Sequence, residues 1–117
     1  QALRLRARLA RGFNDEVFAE TALLVLPAIP EPAPALADAT AGEGEAVAAR
    51  MGRFSRLTRP WNGLGLPVLA LPCGFAASGL PLGMQIVGRP FDEAAVLRAG
   101  HAYERATDWH RRRPPLD

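Results

Sequence analysis

Apolar positions recur along this chain with two different periods, and the alternation between them predicts helices and strands in turn. Leu5, Leu9 and Phe13 fall at helical spacing, so Leu3 to Phe18 reads as an arginine-rich helix, with Gly12 a weak point where it could bend or end. Ala22 to Leu26 carries no polar residue and is expected to be a central strand. Glu31 to Gly44 is rich in Pro, Ala and Gly and reads as an irregular connection. Val47, Met51 and Phe54 then share one helical face, with Arg50, Arg53 and Arg56 mainly on the others. Asn62-Gly63, able to take positive φ, is expected to end that helix, and Gly65-Leu66-Pro67 turns the chain into an extended segment.

Two apolar runs follow. Val68 to Leu71 suits a short strand buried on both faces, and Ala76-Ala77-Ser78-Gly79 is turn chemistry. Pro81 fits only near a strand start. Leu82, Met84 and Ile86 alternate with Gly83, Gln85 and Val87 in a second, largely buried strand that Gly88-Arg89-Pro90 ends. Asp92 can cap a last helix whose buried stripe is Val96, Ala99, Tyr103 and Ala106, with Gly100 allowing close packing on the sheet. The tail Arg111-Arg112-Arg113-Pro114-Pro115 cannot continue it. The fold class is therefore α/β, with strands flanked by helices.

Length and composition bound this picture. A chain of 117 residues, 49% hydrophobic, permits one domain with a core. It opens at Gln1 inside a helical pattern, from which a segment of a longer protein is expected. No apolar run approaches the roughly 20 residues that span a bilayer. The single cysteine, Cys73, has no partner for an intrachain disulfide, which fits a reducing cytoplasm. All 14 basic residues are arginines, and Ser55 and Ser78 are the only serines.

The block from Thr58 to Phe91, TRPWNGLGLPVLALPCGFAASGLPLGMQIVGRPF, has a Gly/Pro order too specific for a generic domain. Thr58, Asn62, Gly65-Leu66-Pro67, Leu71-Pro72-Cys73-Gly74, Gly79-Leu80-Pro81, Gly83, Gln85, Val87-Gly88 and Phe91-Asp92-Glu93 resemble the C-terminal part of the amidase signature family. Upstream, Phe18 followed by Ala22 to Pro30 resembles that family's earlier strand with its proline-rich exit.

The resemblance implies that residues 1–117 are the C-terminal segment of a single amidase-signature domain, part of a mixed β-sheet flanked by helices. It implies a parent that hydrolyses carboxamides through a serine nucleophile, a second serine as relay and a lysine base, without metal or organic cofactor. An acyl-enzyme forms, and backbone amides in a Gly/Ser-rich loop hold the oxyanion. No catalytic residue can be placed here, because the chain has no lysine and neither Ser55 nor Ser78 sits in a Gly/Ser-rich stretch. The chain alone is expected to be inactive.

What the resemblance does assign to this segment is one wall of the substrate pocket. The helix before the Asn-x-x-Gly-x-Pro turn faces substrate in relatives, which puts Ser55 at a contact position with Gly52 and Arg59 one turn to either side. Spacings of three and four would set these on one helical face. In the glutamine-using tRNA amidotransferase A subunits the position of Ser55 is an Asp that can bind the substrate's ammonium group. A neutral serine here argues against glutamine as amide donor. Ser55 and Arg59 also fit plain helix-surface residues, and the sequence leaves both readings open.

Other tempting residues read as structural. Cys73 lies in a Pro-Cys-Gly turn and fits a packed thiol better than a nucleophile. His101 and His110 are nine apart, which is not the spacing of a helical metal pair. Gln85 fits a group that satisfies buried backbone atoms, and Trp61 and Trp109 fit packing residues.

The pI of about 9.5 raises nucleic-acid binding, but the net charge is only +2 and no aromatic platform accompanies the arginines, so no nucleic-acid partner is expected. The expected partners are a small-molecule amide and the remainder of the amidase domain. Two alternatives stand beside amidase: a glutamyl/aspartyl-tRNA amidotransferase A-subunit-like protein, and an inert fragment acting only in protein association. If the chain stands alone, open strand edges and apolar faces predict a homo-oligomer or poor folding.

Overall fold

The computed structural model describes residues 1–114. Five α-helices and three strands occur among them, in the order α1 (Ala2–Val17), β1 (Leu23–Pro27), α2 (Leu36–Thr40), α3 (Glu45–Ser55), α4 (Arg59–Leu64), β2 (Val68–Phe75), β3 (Pro81–Gly88) and α5 (Glu93–Ala106). A single 3₁₀ turn, Trp109–Arg111, closes the described chain, and Pro115 of the tail lies outside it. The α/β class holds. The strands run β1-β3-β2 and every pairing is antiparallel, so the described residues contain no parallel part of a mixed sheet.

β3, not β1, is the central strand. Its residues alternate between two cores because successive side chains of a strand point to opposite faces. Val87 is fully buried with Phe18, Trp61 and Leu66 on the face covered by α1 and α4, joined by Phe13, Leu24, Leu26 and Leu64. Ile86 is buried on the other face with Leu71 of β2 and Val96 of α5, backed by Leu69, Ala99 and Tyr103. The molecule thus has three layers, helices on either side of a sheet. β1, expected in the middle because it is wholly apolar, is an edge among these strands, and its Val25 is 64% exposed.

Phe13, Phe18, Trp61, Phe75 and Trp109 behave as packing groups, whereas Phe91 is 95% exposed. Phe13 meets Phe18 and Trp61 edge-on, with ring centroids 5.9 and 5.8 Å apart. Trp109 packs on Phe75 at 6.0 Å and lies under the Arg112 guanidinium at 4.6 Å.

Several boundaries moved. β2 runs on to Phe75, four residues beyond the expected Leu71, through an irregularity between Pro72 and Gly74. Cys73 therefore sits in a bulged strand and not in a turn. Proline cannot donate to the ladder, which favours a bulge at that point. The hairpin turn is where it was expected, closed by Ala76 N–H on Leu80 O and Gly79 N–H on Ala76 O, and β3 begins at Pro81. Asp92 caps α5, accepting from Ala95 N–H at 3.2 Å. Gly100 is buried against Leu69 as close packing requires, whereas Ala106 of the expected stripe is exposed. The 31–44 connection holds the short helix α2, and no residue of α3 is buried, so Val47 and Met51 face outward.

Candidate functional site

The expected substrate wall is a helix–elbow–helix unit. α3 ends at Ser55, and Arg56 N–H bonds Arg53 O while Thr58 N–H bonds Ser55 O, which tightens the last turn. α4 begins at Arg59, with Pro60 in its first turn. Proline has no N–H for the carbonyl four residues earlier, so a helix is kinked or broken at this point, and here it breaks. Gly52 and Ser55 consequently belong to α3 and Arg59 to α4, and the shared helical face expected from their spacing is not formed. The signal was Pro60 itself. α4 also runs through Asn62 and Gly63 and ends at Gly65, whose φ of 72° makes the left-handed cap.

The Ser55 hydroxyl donates to Met51 O at 2.6 Å, which leaves its oxygen free to accept. Thr58 Oγ1 donates to Ser55 O at 3.2 Å. Gly52 has open space where a Cβ would stand, and Arg59 is exposed. The unit can therefore contact and orient a polar ligand, through a hydroxyl and a guanidinium, but offers no base.

Gln85 anchors this unit. It is 1% exposed in the central strand, and its Nε2 donates to Pro27 O at the end of β1 and to Leu57 O in the elbow, both at 2.9 Å. Gln85 does bond backbone carbonyls as expected, but neither acceptor residue is buried: Pro27 is exposed and Leu57 half-buried. Nearby, Arg53 pairs with Glu31 at 2.7 Å, joining α3 to the β1 exit. Both side chains are well exposed, so this pair contributes only about 0–1 kcal/mol. Arg50 donates to Ala39 O and Ala41 O, tying α3 to the segment around α2.

Two apolar cavities border these elements. One, of about 510 Å³, lies between the β1 exit and the hairpin and is lined by residues including Ile29, Glu31, Cys73 and Met84. The other, of about 850 Å³, runs between α1 and α4 past Leu5, Leu9, Phe13 and Leu64. Ser55 and Arg59 line neither. Among the described residues no three His, Cys, Asp or Glu groups gather as a metal site, and no helix is long and apolar enough to cross a membrane. Arg6 of the arginine-rich α1 donates to Gly63 O at 2.7 Å and fastens α1 to α4.

The profile of the Amidase family matches residues 1–97. The chain belongs to the amidase family. The A subunit of glutamyl-tRNA(Gln) amidotransferase from Chloroflexus aggregans is 42% identical to this amidase-family chain over 118 residues, 99% of the chain and 22% of the relative. Its counterpart from a Synechococcus strain is 44% identical over 116 residues, 99% of the chain and 21% of the relative. Among solved structures, 6-aminohexanoate cyclic dimer hydrolase complexed with substrate superposes with a TM-score of 0.79 at 27% identity, covering 94% of this chain and 24% of that one. The chain thus spans about a fifth of the length of the relatives it matches.

Proposed function

We propose that residues 1–117 form the C-terminal part of one amidase-signature domain, whose parent hydrolyses the C–N bond of a small carboxamide through Ser-Ser-Lys acyl-enzyme chemistry. The observation that carries this reading is a family match over residues 1–97 in a chain without a single lysine. The base, the paired serines and the oxyanion loop then belong to the rest of the parent, and this chain alone is inactive. Its own contribution is the α3–α4 wall, with the Ser55 oxygen accepting from substrate, Arg59 donating to it, and Gly52 leaving room beside them. The rest of the domain covers the apolar faces. A reducing cytoplasm suits the lone Cys73.

A second reading is favoured by the names of the relatives, which are amidotransferase A subunits at 42 and 44% identity. Neutral Ser55 supports hydrolysis instead, because it offers no carboxylate for an ammonium group. Intact mass and a hydrolysis panel on the complete parent, including glutamine with an acylated tRNA acceptor, distinguish the two. Ammonia release from simple amides without the acceptor supports the amidase. Glutamine turnover that depends on the acceptor overturns it, and a parent of only 12.5 kDa would leave no room for the missing machinery.

A further inference from the structure

The α3–α4 elbow depends on one side chain from the far side of the sequence. Gln85 lies 28 residues from Leu57 and 58 from Pro27, yet a single amide nitrogen joins both carbonyls at 2.9 Å. Only the NH₂ end of a glutamine carries two donors, so two carbonyl acceptors fix which way the amide faces. Gln85 itself is 1% exposed, so its amide is held within the core while it reaches two carbonyls nearer the surface. Leu57 stands between Ser55, the last residue of α3, and Arg59, the first of α4. Where Leu57 is held therefore determines how Ser55 and Arg59 stand relative to one another. The register of β3 makes the clamp rigid, since Gln85 is paired with Leu26 on one side and Ala70 on the other.

We propose that Gln85 is the positioning residue of the substrate wall, holding the elbow between Ser55 and Arg59 at a fixed place against the β1 exit. This rests on the reading that Ser55 and Arg59 contact substrate. Gln85 touches neither substrate nor reacting atoms; it acts through the Leu57 carbonyl.

The test uses the complete parent, with active sites counted by a serine-acylating reagent, and a series of primary amides from acetamide to bulky aryl amides. Gln85→Met keeps the length of the side chain and removes both donors. Its KM rises about tenfold for bulky amides and stays within about twofold for acetamide, because a displaced wall is felt only by substrates that reach it. Gln85→Asn, which is one methylene shorter, gives a smaller shift with the same selectivity, and decides the matter alone if Gln85→Met does not fold. An equal loss on all amides, or an unchanged profile, overturns the proposal and leaves Gln85 a structural residue.

A wild-type parent that hydrolyses none of the amides sinks the amidase reading instead. Backbone hydrogen exchange then decides the positioning claim. Faster exchange in Gln85→Met at residues 56–61 with α5 unchanged supports it, and a uniform change or none overturns it.

Discussion

Gly100 of α5 lies so close to Leu69 of β2 that a Cβ at position 100 would overlap Leu69 Cδ2, well inside van der Waals contact distance, with Leu71 Cδ1 3.4 Å away. The absent side chain is what lets the helix settle on the sheet. Gly100→Ala should gain up to about 1 kcal/mol in helix propensity but lose about 1–3 kcal/mol by overpacking. Net destabilisation of up to about 2 kcal/mol is expected in urea unfolding of the complete parent. An equal or raised midpoint would show that α5 can lift from the sheet at no cost.

Gly65 adopts φ 72° at the end of α4, with its N–H on Trp61 O at 2.7 Å. A Cβ there would also meet the Arg6 guanidinium, whose displacement would strain its bond to Gly63 O. Gly65→Ala should therefore cost about 1 kcal/mol or more, and Gly65→Asn less, since asparagine tolerates the left-handed region. Thermal unfolding of the two variants checks the order.

The 117-residue polypeptide expressed alone should self-associate. β1 is an edge strand whose Val25 is 64% exposed, and Leu3, Leu5 and Leu9 of α1 are more than half exposed. Sedimentation velocity should give species above 12.5 kDa, and Val25→Lys should shift them toward monomer by placing a charge on the edge. A compact monomer that unfolds cooperatively would refute this.

Ser55 offers the wall a neutral oxygen whose proton is given to Met51 O. Ser55→Asp in the complete parent should raise kcat/KM for amides bearing an ammonium group, glutamine among them, about tenfold relative to neutral amides, as a charge-assisted bond would. No change in that ratio would return Ser55 to the helix surface.

The sequence by itself determined the local grammar and the family. Gly79 at the hairpin turn, Pro81 at the strand start, the Asp92 cap and the family's Gly/Pro order are written in adjacent residues, because turn and cap preferences depend on a residue's own φ and hydrogen-bonding groups. Pro60 also marked the break between Ser55 and Arg59, although helical spacing concealed it. Only the tertiary structure decided which strand is central and what holds the wall. Ala22 to Leu26 is wholly apolar and Leu82 to Val87 is apolar but for Gly83 and Gln85, and apolarity says that a strand finds cover, not which neighbours supply it. The bond from Gln85 to Leu57 and Pro27 joins residues 28 and 58 apart, through three segments that meet only once the sheet has formed. No periodicity within one element carries that information.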